Sequence, residues 1–579
     1  MQNTTMKEIK TIFIIISVFY LFGSSIHAQT NKPLSIENDK NITEGINHRI
    51  TITANKKYLL LPIKNGEKKK KVKIVVQGEE IGAFDIEMSN NSPDWYAYIN
   101  ISEWKGEELE IRIDSLDDNS LGFKFIKQSD NDDNDSLYQE PQRGQFHFSP
   151  KRGWNNDPNG LVYFKGEYHL FFQHNPFGVL WGNMHWGHAV STDLVHWKEL
   201  DIALYPDSYG TMFSGGGIVD TDNTSGLGDG TNAPMVLFYT AEDSWIQGLA
   251  YSQDGRNFKK TDPILSKITD GNRDPKVIWH EPSKRWVMVL YVTEKNDQHS
   301  IHFLTSANLK EWELASVFNG GIGDDRYLYE CPEFFELPVE GSTEKKWVLT
   351  GANNEYAIGT FDGKVFKPEE ERLNGQLGRG FYAPQTFSNE PNGRRIELGW
   401  WRTNTSDIGA NFNQSMSLPM KLNLIKTPNG IRLTRTPIEE LKALRVKQYS
   451  FNDLKIPNSE THIFKNVNAE LLEIRTLIEP GMAEIVQFTI RGIDLVYNVQ
   501  KEELSVDGVK AHLPIYNNQL KFVIYVDRIG LEIFSNQGMF FMPVNINIDE
   551  KNKEIKVSVK GGDLEIIKMD VYELKSSWK

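Results

Sequence analysis

From about residue 35 to 127 the chain alternates apolar and polar positions at period two, as in "YLLLPIKNG", "VKIVVQG", "LEIRIDS" and "GFKFIKQ". Side chains of a strand point alternately to its two faces, so the pattern predicts short, half-buried strands. Gly, Asn and Asp separate the runs, and together they predict a small β-sandwich-like domain over 35–128. The run Glu67-Lys68-Lys69-Lys70-Lys71-Val72-Lys73 stands between two such strands and reads as a solvated hairpin tip. "SDNDDNDS" opens a polar linker over 129–142. Counted from Asp130, it has Asp135 and Pro141 where a calcium loop needs Gly and Glu.

Over 143–440 the alternation acquires a longer period. "STDLVHWKEL", "SQDGRNFKKT" and "SANLKEWELA", with the shorter "FDGKVFKP", each place a polar turn before an aromatic residue. Strand pairs such as "LVYFKGEYHLFF", "KVIWHEPSKRWVMVLYV" and "TFSNEPNGRRIELGWW" lie between them. Small polar motifs precede these pairs: Asp157-Pro158, Ser214-Gly215, Asp274-Pro275, Glu330-Cys331-Pro332 and Ala383-Pro384-Gln385. Their first residues are 57, 60, 56 and 53 positions apart. Five units of nearly equal length, each worth about four strands, predict a five-bladed β-propeller. Beyond about 430 the strands continue without the repeat, and "FVIYVDRIGLEIFSNQG" reads as two strands closed by a Gly turn. A C-terminal β-sandwich is expected over 445–579. The clearest helix signal, "TPIEELKALR", falls where a domain linker is needed. The fold class is therefore all-β.

Lys7 and Lys10, the apolar run Thr11–Phe22 and the small residues Ser24–Ala28 read as a secretory signal over 1–28, cut after Ala28. The apolar run is too short to span a bilayer, so the mature chain is expected to be exported, periplasmic or extracellular. The one cysteine, Cys331, forms no intrachain disulfide and reads as buried and structural, and no lipoprotein cysteine follows the signal. A formal charge of −14 repels phosphate backbones and makes nucleic acid an unlikely partner. The oligomeric state is left open.

The inner strands of a propeller converge on its axis, so Asp157, Asp274 and Glu330 are expected to meet although far apart in sequence. Acidic groups on one cavity suit hydrolysis of a glycosidic bond, with one carboxylate attacking the anomeric carbon and another carboxyl protonating the leaving oxygen. Tyr327, Tyr329 and Phe334 give Glu330 an apolar setting that suits the acid. The polar loop around Asp157 suits an ionised nucleophile. Arg273 is expected to hold Asp274 charged, as a substrate clamp. Gln173, Trp181, Ser214 and Trp400 are candidates to stack on a sugar or bond to it. Trp197 and Trp312, which recur in the repeated turn, are expected to pack between blades. His185 and His188 in "MHWGHAV" have a possible metal spacing but no third ligand, and read as structural.

"FHFSPKRGWNNDPNGLVYFKGEYHLFFQHNP", "WGNMHWGHAVSTDLVHW", "FSGG", "RDPKV", "YECPEFFEL" and "FYAPQTF" resemble the successive motifs of glycoside hydrolase family 32. Levanases, inulinases, fructan β-fructosidases and invertases belong to that family. The likeness is strong over about 145–445 and weaker in the C-terminal region. It implies a five-bladed propeller with a C-terminal sandwich, and retaining cleavage of β-fructofuranosyl bonds without metal or cofactor. Matched motif by motif, it implies Asp157 as nucleophile, Glu330 as acid/base and Asp274 as transition-state stabiliser. Asn156, Gln173, Trp181, Phe213, Ser214 and Arg273 would line the fructose subsite, with Trp400 a weaker match because Trp401 adjoins it. The N-terminal region is similar to an extra domain of some bacterial members.

The chain departs from the family pattern at Asn155, where an apolar residue is common, at "FSGG" for "FSGS" and at "ECPE" for "ECPD". A short Arg- and Ser-containing strand motif is not recognisable at "YNVQKEELSVDG". No catalytic carboxylate is lost. The substrate is expected to be a fructan or fructo-oligosaccharide; levan, inulin and sucrose, and endo against exo attack, stay open. So do the alternatives of a fructosyltransferase, which uses the same covalent intermediate, a non-catalytic fructan-binding protein, and an arabinan-active furanosidase.

Overall fold

The computed structural model describes residues 35–37, 46–114, 116, 119–132, 137–403, 405 and 411–578. The signal segment 1–28 and part of "SDNDDNDS" lie outside the described residues.

Five antiparallel sheets stand in a ring, each led by one of the small polar motifs. Blade 1 contains Gly153–Phe164, Glu167–Asn175, His185–Ser191 and Lys198–Glu199. In blade 2, Met212–Phe213 and Gly217–Val219 share the neighbour Met235–Ala241, followed by Ile246–Ser252 and Lys259–Lys260. Blade 3 runs Arg273–His280, Arg285–Thr293, Gln298–Ser306 and Glu313–Ile322, and blade 4 Glu333–Pro338, Lys345–Thr350, Glu355–Phe361 and Phe366–Asn374. Blade 5 comprises Phe381–Thr386, Arg395–Trp401, Met420–Thr427 and Gly430–Pro437. Each inner strand touches the next around the ring, and that of blade 5 touches that of blade 1. Phe412–Asn413 adds to Gly153–Trp154 as a parallel strand and helps close the circle.

The repeated turn has a definite geometry. Asp193, Asp254, Asn308 and Asp362 each accept two backbone N–H bonds from residues two and three positions ahead. The residue after each acceptor is left-handed: Leu194 (φ 65°), Gly255 (69°), Leu309 (64°) and Gly363 (96°). An Asx side chain can replace the backbone acceptor of a turn, which is why this pattern recurs between the outer strands of successive blades. The indoles of Trp197 and Trp312 then donate to the carbonyls of Leu194 and Leu309, at 3.1 and 3.0 Å, and pack onto blade clusters.

Behind the propeller, two six-stranded sheets face each other across an apolar core that includes Leu472, Ile474, Val486, Phe488, Ile533 and Val557. The hairpin Leu520–Asp527 and Gly530–Ser535 belongs to this sandwich. Tyr525, Phe534, Phe541 and Leu574 share a cluster with Phe146, Phe148, Phe381 and Phe387, so sandwich and propeller bury one continuous apolar surface. At that seam His147 lies between two buried carboxylates, with Nδ1 2.7 Å from Asp527 and Nε2 3.1 Å from Glu532. Burial opposes its charge, but the two acids outweigh it and push the imidazole up to about 9.

In the N-terminal region a sheet ordered Ser35–Glu37, Ile46–Thr53, Glu108–Asp114, Lys70–Val76, Glu79–Ile86 lies beside one ordered Trp95–Asn100, Tyr58–Ile63, Lys127–Ser129. The lysine run is not a hairpin tip: Tyr58–Ile63 and Lys70–Val76 belong to different sheets, and the run leads from the crossing between them into the second strand, which holds Lys70–Lys73. Lys70 is buried and its Nζ donates to the Met88 carbonyl at 3.1 Å, because its strand position faces inward. The helix expected in "TPIEELKALR" is a 3-10 turn, Glu439–Leu444, which follows Gly430–Pro437 directly and buries only Leu441 and Leu444.

Candidate active site

The inner strands reach the axis through a shared irregularity. Between the pairs Asn155↔His174 and Pro158↔Phe172, the inner strand of blade 1 carries one extra residue. The same bulge spans Asp274-Pro275 in blade 3 and Ala383-Pro384 in blade 5. A bulge kinks its strand and re-aims the side chains on it, and proline is tolerated because the inner strand edges its blade. The residue before proline is left-handed at Asp274 (φ 64°), Cys331 (47°) and Ala383 (47°), a conformation that costs energy for a non-glycine residue and clusters at functional sites. Blade 2 has Gly215 where the others have proline, because a Cβ there would stand 1.9 Å from the Phe238 carbonyl oxygen.

These bulges bring the three acids together around Cys331. Its backbone N–H donates to Asp274 Oδ2 at 2.9 Å, and its Sγ lies 3.4 Å from Asp157 Oδ2 and 3.5 Å from Asp274 Oδ2. Glu330 is its chain neighbour. Burial raises the Cys331 thiol well above its ordinary value, so it stays a neutral donor. Asp157 accepts a bond from Ser214 Oγ at 2.8 Å and another from Asn156 Nδ2 at 3.2 Å. Asn156 Oδ1 in turn accepts from the Trp154 indole at 2.9 Å.

Arg273 is placed differently from the expectation. Its Nη2 donates to Glu330 Oε1 at 2.5 Å, whereas its Nε is 3.8 Å from Asp274. Its guanidinium rests on the Tyr291 ring and also donates to the Gly271 carbonyl. Tyr382 donates its hydroxyl to Glu330 Oε2. Burial would raise the Glu330 carboxyl, but Arg273, Tyr382 and Arg326 outweigh it and hold it below the ordinary value. Burial pushes Asp274 up to about 7; Arg273 counters this, and the charges of Glu330 and Asp157 add to it. Burial likewise raises Asp157, against its bonds from Ser214 and Asn156. In the free site these directions run opposite to a raised Glu330 beside a lowered Asp274, the arrangement expected from the sequence. The physical reason is reach: the guanidinium extends past its chain neighbour to the next blade.

The remaining expected residues border this centre. Gln173 is buried at the blade 1 bulge and donates to the Met212 carbonyl at 2.8 Å. Phe213 precedes Ser214 and meets Trp181 and Trp245 edge-on, at 6.1 Å each. Trp181 is 52% exposed. Trp400 donates to Gln414 Oε1 at 3.1 Å and packs edge-on against Trp154 and Tyr382. Trp401 is instead fully buried against His147 at the sandwich seam, which distinguishes the two adjacent indoles. Asn155 is buried, and in the amide orientation that satisfies it donates to the Gln414 carbonyl at 3.0 Å.

Sequence reasoning missed Tyr382, Trp245 and the acid-gathering role of Cys331. For Tyr382 a signal existed, its place just before a blade-start motif. His185 bonds the Asn183 carbonyl and His188 bonds His169. Among the described residues no group of three or more His, Cys, Asp or Glu is arranged to hold a metal ion.

An acid trio at the axis of a five-bladed propeller, packed on a β-sandwich, is the architecture of a glycoside hydrolase. Residues 147–437 match the model of the glycosyl hydrolases family 32 N-terminal domain, and residues 46–136 match a domain of unknown function, DUF4980. A levanase of Bacillus subtilis is 35% identical over 491 residues, covering 76% of this chain and 72% of its own length. An extracellular exo-inulinase of Aspergillus niger is 29% identical over 525 residues, covering 76% and 96%. Among solved structures, an exo-inulinase from Aspergillus awamori superposes with a TM-score of 0.69 at 27% identity, covering 76% of this chain and all of its own. A fructofuranosidase from Schwanniomyces occidentalis, complexed with fructose, gives 0.67 at 27%, covering 77% and all of its own. The chain belongs to glycosyl hydrolases family 32.

Proposed function

We propose that this chain is an exported β-fructosidase that hydrolyses fructans with retention of configuration. The observation that carries the reading is the gathering of Asp157, Asp274 and Glu330 about Cys331. The relatives named levanase and exo-inulinase support the substrate class. Asp157 forms a bond to the anomeric carbon of a fructosyl unit while the glycosidic C–O bond breaks and Glu330 gives its proton to the leaving oxygen. Glu330 then takes a proton from water, whose oxygen attacks the anomeric carbon and frees Asp157. Asp274, with Asn156, Gln173, Trp181, Phe213, Ser214, Arg273 and Trp400, orients the sugar. Asp274 and Arg273 act on the hydroxyls and on the charge that builds in the transition state.

The reaction needs the proton on Glu330 and a charged Asp157. A saccharide oxygen that displaces the Arg273 or Tyr382 bond raises the Glu330 carboxyl and favours its protonated form. No helix among the described residues is long and apolar enough to cross a membrane, and relatives are named extracellular, in keeping with export. The test is chromatography of products from levan and inulin, with Glu330→Gln as control. Release of fructose or fructo-oligosaccharides by wild type alone supports the reading, and a ladder distinguishes endo from exo attack. Release by neither protein defeats it.

A further inference from the structure

The segment 176–184 joins two strands of blade 1 and carries Trp181, yet its apolar side belongs to another domain. Phe177 and Val179 are buried in the hydrophobic cluster of the N-terminal domain, with Ile50, Val72, Phe84 and Ile111. The rings of Phe84 and Phe177 stack face to face, 3.7 Å between centroids and 11° between planes. Phe84 lies on Glu79–Ile86, the edge strand of its sheet. An edge strand presents unpaired backbone groups, and here one residue uses them: the Asp85 N–H donates to Asn183 Oδ1 at 2.9 Å, while Asn183 Nδ2 donates to the Asp85 carbonyl at 2.8 Å.

Farther along the seam, Tyr58, Asn100 and Lys57 all reach Asp201 of blade 1, at 2.9, 3.1 and 3.1 Å. Arg152, five residues before Asp157, lies over the Tyr98 ring at 4.1 Å. The propeller holds the same segment from its other side, since Asn175 Nδ2 donates to the Leu180 carbonyl and Asn413 Nδ2 to the Val179 carbonyl. Only the tip, Leu180 and Trp181, projects outward, 48% and 52% exposed. That tip meets Phe213, whose neighbour Ser214 bonds Asp157.

We propose that the N-terminal domain is a brace for the pocket wall, and that Phe84 is a positioning residue for fructan binding. Phe84 and Asp85 fix the 176–184 segment, and the segment holds the Trp181 indole where the saccharide chain enters. An exposed loop tip would otherwise sample many conformations, and each binding event would have to order it again. The domain thus acts on substrate affinity and not on the bond-breaking step. The inference rests on the fructan reading above, because it needs Trp181 to contact saccharide.

Steady-state kinetics on levan and inulin test it with wild type, Phe84→Ala, Phe84→Tyr and Asn183→Ala. Loss of uniform binding raises KM and leaves kcat in place. Phe84→Ala and Asn183→Ala are expected to raise KM by about five- to tenfold, with kcat within about twofold of wild type. Phe84→Tyr, which keeps the stacked ring, is expected to restore the wild-type KM. Thermal unfolding of each variant shows whether it is folded, and if Phe84→Ala is not, Asn183→Ala carries the test. Unchanged KM in the folded variants overturns the proposal, as does a fall in kcat at constant KM. A wild type that releases nothing from either polymer defeats the fructan reading itself and is seen before any variant is compared.

Discussion

Replacing Tyr382 by phenylalanine removes one hydroxyl and leaves the ring edge-on to Trp400 and beneath the Arg402 guanidinium. Glu330 then loses the donor on Oε2 and keeps Arg273 on Oε1. A hydrogen bond to a charged group contributes roughly 1.5–3 kcal/mol, and one pKa unit corresponds to about 1.4 kcal/mol. The Glu330 carboxyl, held low in the free enzyme by Arg273 and Tyr382 against burial, should therefore rise by about one to two units. The assay is kcat/KM for fructan against pH, which reports ionisations of the free enzyme as macroscopic values of the coupled trio. The limb that Glu330 sets moves up by about one to two units while the limb that Asp157 sets stays nearly fixed. A variant with wild-type activity and a superimposable profile refutes the idea that Tyr382 sets the protonation of Glu330.

Two further changes follow from the same structure. Ser214→Ala removes the 2.8 Å donor to Asp157, whose carboxyl burial already raises; the limb of kcat/KM that Asp157 sets should move up by about one unit, and a profile superimposable on wild type contradicts a role for the Ser214 bond in holding that carboxylate. At the sandwich seam, His147 has its value raised from 6.5 to about 9. Its contribution is fully present below pH 6.5 and lost as pH rises through 9, on the order of 3 kcal/mol in all. Denaturant midpoints should fall across that window in wild type and hold level in His147→Phe, and parallel curves for the two proteins count against the charged seam.

The propeller was legible because its blades repeat a local device. Asp193, Asp254, Asn308 and Asp362 each make the same Asx turn, so the chain shows the same letters at nearly equal intervals. The Pro after Asp157, Asp274 and Cys331 marked the inner strands for the same reason. What the letters do not carry is reach across blades. Arg273 adjoins Asp274 in sequence, yet its guanidinium bonds Glu330 one blade away, and that bond holds Glu330 low where a raised acid was expected. Lys70 looked like one more solvated lysine until two sheets, and not one hairpin, were seen to flank it. The hold of Phe84 on the Trp181 segment joins residues nearly a hundred positions apart, with no shared pattern between them.

The proposed mechanism has Asp157 covalently bonded to the sugar and Glu330 serving both steps. β-Fructofuranosyl fluoride needs no acid to expel its leaving group, so in Glu330→Gln the first step proceeds and the second, deprived of its base, stalls. Mass spectrometry of peptides from the quenched mixture should then find one fructosyl unit on the peptide containing "WNNDPNG", at Asp157. An adduct on Asp274, or its absence from a variant that still releases fluoride, contradicts this mechanism.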